Sequence, residues 1–129
     1  MKIIVIEDEE LKRDEITSFL TKHNIEFEIF EYVYPALRYI LANKVDISGI
    51  ILDLGLQSSP SMFDRSLYRG FDVVKELNRK KIDIPILINS TTEVDMIDSY
   101  PSVFGQKHEM YDDEILDSFV SYLRKREEQ

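Results

Sequence analysis

The chain has no cysteine. It therefore needs no disulfide, cannot build a thiolate metal site and cannot be a cysteine enzyme, which fits a reducing cytoplasm. It has two histidines, His23 and His108, too few and too poorly partnered in sequence for a zinc centre. No apolar run approaches the ~20 residues that cross a bilayer. The N-terminus lacks the basic segment, long apolar stretch and small-residue cleavage site of a secretory signal. Positive charge is also in deficit. With 16 Lys and Arg against 25 Asp and Glu, the net charge is -9, so most of the surface would repel free nucleic acid. The expectation is a cytoplasmic protein with no membrane or direct nucleic-acid partner.

What the chain does have is three short apolar runs that each end in polar residues. Lys2-Ile3-Ile4-Val5-Ile6 leads into Glu7-Asp8-Glu9-Glu10, Gly49-Ile50-Ile51-Leu52 into Asp53, and Pro85-Ile86-Leu87-Ile88-Asn89 into Ser90. Such runs, rich in β-branched residues, suit strands buried on both faces of a parallel sheet. Parallel strands gather their carboxyl ends at one edge, where open α/β sheets bind ligands. Glu7, Asp8, Asp53 and Ser90 are thus expected in one pocket, and three acids with a hydroxyl suit a hard divalent cation.

Between these runs the hydrophobic period changes. Leu11, Ile16, Phe19 and Leu20 keep helical spacing, Glu26-Phe27-Glu28-Ile29-Phe30 alternates as a strand nearer the sheet edge, and Pro35 suits the first turn of a helix with Leu37, Ile40 and Leu41 inward. Gly70 precedes a short amphipathic helix over 71–77. A weaker fifth strand is expected over 102–106, and Ile115, Leu116, Phe119, Val120 and Leu123 stripe a last helix before a charged tail over 124–128. The alternation predicts a single domain over 1–129. Its fold class is α/β, a five-stranded doubly wound parallel sheet with helices on both faces. The polar stretch over 57–69 is long for a strand-to-helix loop.

On these residues the chain resembles the receiver domain of bacterial response regulators (CheY-like) over essentially its whole length. The resemblance lies in Ile4-Val5-Ile6-Glu7-Asp8-Glu9, Ile51-Leu52-Asp53-Leu54, Pro85-Ile86-Leu87-Ile88-Asn89-Ser90 and Lys107. It implies that Asp53 is the phosphoacceptor and that Mg²⁺ is the cofactor. Asp8 would be a direct ligand, Glu7 would act through water, and the backbone carbonyl of Gly55 would complete the protein ligands. Ser90 and Lys107 would meet the phosphoryl oxygens, and Phe104 would be the switch aromatic. If the register slips by one, Thr91 takes the place of Ser90. The implied donor is a histidine kinase or phosphotransfer protein, the implied output a protein effector, with homodimerisation as a further possibility.

The chemistry has its own logic. A carboxylate attacking phosphorus needs its charge offset, and the transferring group spreads charge over three oxygens, so a metal ion and a lysine answer the same need. Four features depart from the family pattern. The loop before Gly70 is long, His108 replaces the proline that normally follows the lysine, and Gly55 and Thr92 stand where phosphoryl lifetime is tuned. The interval between Ser90 and Lys107 is also short, which leaves only 94–100 for a stunted or irregular fourth helix. These departures motivate an alternative, a receiver-like docking module that works without phosphorylation. A phosphohydrolase of the haloacid dehalogenase type would carry Asp-x-Asp after the first strand. The chain has Glu7-Asp8-Glu9 there, so no enzyme acting on an external substrate is expected.

Overall fold

The computed structural model describes residues 1–53, 70–89 and 113–128. Along the chain these form β1 (Lys2–Ile6), α1 (Glu10–Lys22), β2 (Glu26–Phe30), α2 (Val33–Asn43), a 3-10 turn (Lys44–Asp46), β3 (Gly49–Asp53), α3 (Gly70–Arg79), β4 (Ile86–Asn89) and α4 (Asp113–Glu127). The strands make one sheet in the order β2-β1-β3-β4, and every pairing is parallel. Among the described residues the sheet has four strands rather than five. The expected fifth strand at 102–106, the helix at 94–100 and the stretch at 57–69 lie outside the described residues.

Alternation along the strands divides the core in two. Ile4, Ile6, Ile50, Leu52, Ile86 and Ile88 pack against Val33, Ala36 and Ile40 of α2 and Val73, Val74 and Leu77 of α3. On the other face Ile3, Val5, Ile51 and Leu87 meet Ile16, Phe19 and Leu20 of α1 and Leu116, Phe119, Val120 and Leu123 of α4. Burying one such side chain contributes about 1.5–3 kcal/mol, against roughly 0–1 kcal/mol for an exposed ion pair. The two apolar layers therefore hold the fold, and surface charge adjusts it.

The helices follow their sequence signals with two differences. Leu11 is 72% exposed, not on the inner face of α1. Five residues at about 100° each carry it roughly 140° round the helix from buried Ile16. The charged segment after Leu123 continues as helix to Glu127. It is fastened to the amino edge of the sheet: Ser48 Oγ donates to Glu127 Oε1 at 2.8 Å, and Arg126 Nη2 donates to the Asp83 carbonyl at 3.2 Å. Pro35 falls in the first turn of α2, where its missing N–H breaks no helical bond. The amphipathic helix α3 and the edge position of β2 appear where expected.

Two helices end in the same left-handed cap. Asn24 and Lys81 take φ of 56° and 57°. After α1, Ile25 N–H reaches the Leu20 carbonyl at 2.9 Å and Asn24 N–H the Thr21 carbonyl at 3.1 Å, and Ile82 to Leu77 and Lys81 to Asn78 repeat the pattern after α3. These bonds satisfy otherwise unpaired helix carbonyls and turn the chain toward the next strand.

Close approach fixes the start of β3. A Cβ on Gly49 would lie 2.7 Å from Leu123 Cδ1 and 3.0 Å from Phe119 Cζ, both on buried side chains. Gly49→Ala is expected to destabilise the fold by about 1–3 kcal/mol through overpacking, measurable by urea denaturation. Lys81→Gly should act the other way. Removing the left-handed strain of a side-chain-bearing residue should add about 0.5–1 kcal/mol, seen as a small rise in Tm.

Candidate functional site

The carboxyl edge of the sheet collects acids because of how β1 and β3 pair. Ile6 stands opposite Leu52, so the next residues, Glu7 and Asp53, emerge side by side between the two central strands. The strand order places that point where the connections diverge. β1 leads outward to β2, and α2 then carries the chain back across β1 to β3. This is the switch-point crevice in which doubly wound sheets bind ligands.

Glu7 is held by the sheet. Its N–H donates to the Phe30 carbonyl at 3.0 Å, and its Oε1 accepts the Glu9 N–H at 3.1 Å. The start of α1 is thus capped by Glu7. Glu9 occupies the N-cap position but makes no side-chain cap and pairs with Lys12 at 3.4 Å instead. Glu7 takes this role because the strand fixes it and its carboxylate reaches forward to the Glu9 amide. Glu10 lies in the first turn, where an acid suits the helix dipole.

Glu7, Asp8 and Asp53 each bring a carboxylate oxygen to within 4.8 Å of the others. Glu7 is 1% exposed, Asp53 is half-buried and Asp8 is exposed. The second oxygen of Glu7, Oε2, is buried without a hydrogen-bond partner among the described residues. Burial first, and the neighbouring charge of Asp53 second, push the Glu7 carboxyl up to about 8. A buried acceptor without a donor is costly, and like charges this close resist ionising together.

A hard cation answers both penalties. An octahedral ion with bonds near 2.1 Å spans about 4.2 Å between opposite ligands, so this oxygen set is close to the size one such ion needs. The donors are all oxygens, the orphaned atom belongs to the most buried carboxylate, and Mg²⁺ uses few carboxylates. The residues present fit the group.

Of the residues singled out in the sequence, Glu7, Asp8 and Asp53 are brought together as expected. Gly55, Ser90, Phe104 and Lys107 lie outside the described residues, as do Thr92 and His108. Arg13 was not anticipated. Its Nη1 donates to the carbonyls of Glu7 at 3.3 Å and Asp8 at 3.2 Å, and lies 3.4 Å from Glu31 Oε1. The signal was a cation in the first turns of a helix, where the dipole disfavours one.

No family model matches the sequence, and no curated protein matches it. Solved structures do. A response regulator receiver domain protein from Clostridium thermocellum superimposes with a TM-score of 0.79 at 18% identity, covering 98% of this chain and 96% of that one. The receiver domain of a Francisella response regulator gives 0.75 at 20% identity, with 97% of each chain covered. The BeF3-activated N-terminal receiver domain of Klebsiella pneumoniae RstA gives 0.72 at 19% identity, covering 96% of this chain and 99% of that one. The chain has the CheY-like receiver fold. Among the described residues, no helix is long and apolar enough to cross a membrane.

The Glu7 carboxyl gives a pH signature in the absence of divalent cation. Its folded value of about 8 lies above its ordinary 4.5. Between those pH values the folded protein holds a proton that the unfolded chain releases. The associated stability is complete below about 4.5 and is lost as pH rises toward 8, by at most about 1.4 kcal/mol per pH unit. Urea denaturation in EDTA from pH 5 to 9 should show this decline, and Glu7→Gln should flatten it. At pH 8.5 the variant should be more stable than wild type by about 1–3 kcal/mol, the usual scale for an unmatched buried polar group.

Proposed function

We propose that the chain is a phosphorylatable signalling switch of a two-component or phosphorelay pathway. Asp53 accepts the phosphoryl group, and Glu7, Asp8 and Asp53, with the backbone carbonyl of Gly55, hold Mg²⁺. The observation that carries this reading is the convergence of three carboxylates at the switch point, with a buried Glu7 oxygen left for a cation. The receiver fold supports it. Bound Mg²⁺ supplies positive charge that offsets the carboxylates and the transferring oxygens.

The chain's own part is positioning. A carboxylate oxygen of Asp53 forms a bond to phosphorus as the bond to the donor's imidazole nitrogen breaks, and the imidazole keeps the electron pair and takes up a proton. Lys107 pairs with the phosphoryl oxygens. Ser90 turns toward them, and Phe104 changes rotamer in response. The signal leaves through a protein surface, toward an effector or a second copy of the chain. The donor is a histidine kinase or phosphotransfer protein in the cytoplasm. The chain acts on no external substrate, and its net charge of -9 disfavours direct contact with nucleic acid.

Intact mass after incubation with acetyl phosphate and Mg²⁺ tests this. A single phosphoryl adduct is expected, absent in Asp53→Asn and absent in EDTA. No adduct, together with no spectral change on adding fluoroberyllate, would leave the phosphorylation-independent docking module as the better reading.

A further inference from the structure

Arg13 lies in the early turns of α1 with its side chain 19% exposed. Helix amino ends favour acids and disfavour cations, so its location needs an offsetting cause. The cause is in its contacts. One guanidinium nitrogen reaches two consecutive carbonyls, those of Glu7 and Asp8, and the carboxylate of Glu31, the residue after β2. The backbone N–H of Arg13 donates to the Glu9 carbonyl at 2.9 Å. The pairs Lys12–Glu9, Lys75–Asp72 and Lys80–Glu76 each stay close in sequence, within three or four residues. Arg13 instead joins the β1–α1 loop, the body of α1 and the end of β2.

We propose that Arg13 is a positioning residue for the divalent cation. By gripping the Glu7 and Asp8 carbonyls and leaning on Glu31, it holds the loop in the conformation that turns both carboxylates toward Asp53. This rests on the cation-dependent reading above. The grip acts on carbonyl oxygens and so leaves the carboxylate oxygens to the ion. It matters most at Asp8, the exposed member of the three, which mutual repulsion among the acids would drive into solvent. All three contacts are made by Nη1, so what a lysine would lose is the reach and planar placement of that one nitrogen.

The test is Mg²⁺ affinity of the full chain by calorimetry, with Arg13→Ala, Arg13→Lys and Glu31→Gln beside wild type. Partners that orient metal ligands typically cost 10–100-fold in affinity when removed. Arg13→Ala should therefore raise the Mg²⁺ Kd about tenfold or more, with Arg13→Lys and Glu31→Gln falling between it and wild type. At saturating Mg²⁺ the rate of Asp53 phosphorylation should stay close to wild type. A lower Tm with an unchanged Kd would mean a structural role only and would overturn the proposal. A lowered maximal rate with unchanged Kd would overturn it too. If Arg13→Ala does not fold, the other two variants decide, and a wild-type Kd in both counts against it. Absence of Mg²⁺ binding by wild type sinks the reading of the site, and this inference with it. Binding by wild type and Arg13→Ala alike sinks only the role of Arg13.

Discussion

The parallel pairing of β1 with β3 is the contact on which the functional edge depends. Ile6 opposite Leu52 makes Glu7 and Asp53 neighbours, and a slip of one residue would move them apart and turn every side chain of β3 to the other face. A strand buried on both sides does not specify its register by polarity, because both faces are apolar. Shape does it here. Gly49 lies where Leu123 and Phe119 of α4 leave no room for a Cβ, and a slip would bring Ser48 or Ile50 to that place. The packing of the last helix thus sets the spacing of acids at the opposite end of the strand.

Those acids work against the fold when no cation is present. Glu7 is buried with one oxygen unmatched and a carboxylate beside it, and it relieves the conflict by holding a proton. On the reading proposed above, a divalent ion would relieve the same conflict by displacing that proton, and cation binding would be linked to pH through one buried carboxylate.

Much of this was legible in the sequence, and the failures have physical causes. The strand ends were clear because Ile3 to Ile6 and Ile50 to Leu52 are apolar throughout and stop abruptly at acids. The stripe from Ile115 to Leu123 was equally clear. Leu11 was misread because apolar character alone does not place a residue on a face; its angle from Ile16 does. Val33 and Ala36 were missed as core, since a small residue and one at a helix start carry little periodic signal. The capping role of Glu7 was hidden because it depends on strand geometry, which sequence spacing does not show. Arg13 was missed because both its main acceptors are backbone carbonyls, which leave no trace in residue types.

The two edges of the sheet are built differently. At the amino edge charges are matched. Lys2 Nζ bonds the Tyr39 hydroxyl and lies 3.8 and 3.9 Å from Glu26 and Glu28. Ser48 and Asp83 hold the end of α4. At the carboxyl edge three carboxylates converge beside the Lys12–Glu9 and Arg13–Glu31 pairs, and one oxygen of Glu7 stays unmatched among the described residues. Between them lie two apolar layers in which most side chains are fully buried, and their combined stabilisation far exceeds one frustrated carboxylate. Conflict confined to one edge can be relieved locally without loosening the core. On the signalling reading proposed above, the energy a cation or a phosphoryl group brings would act at that edge rather than on the core.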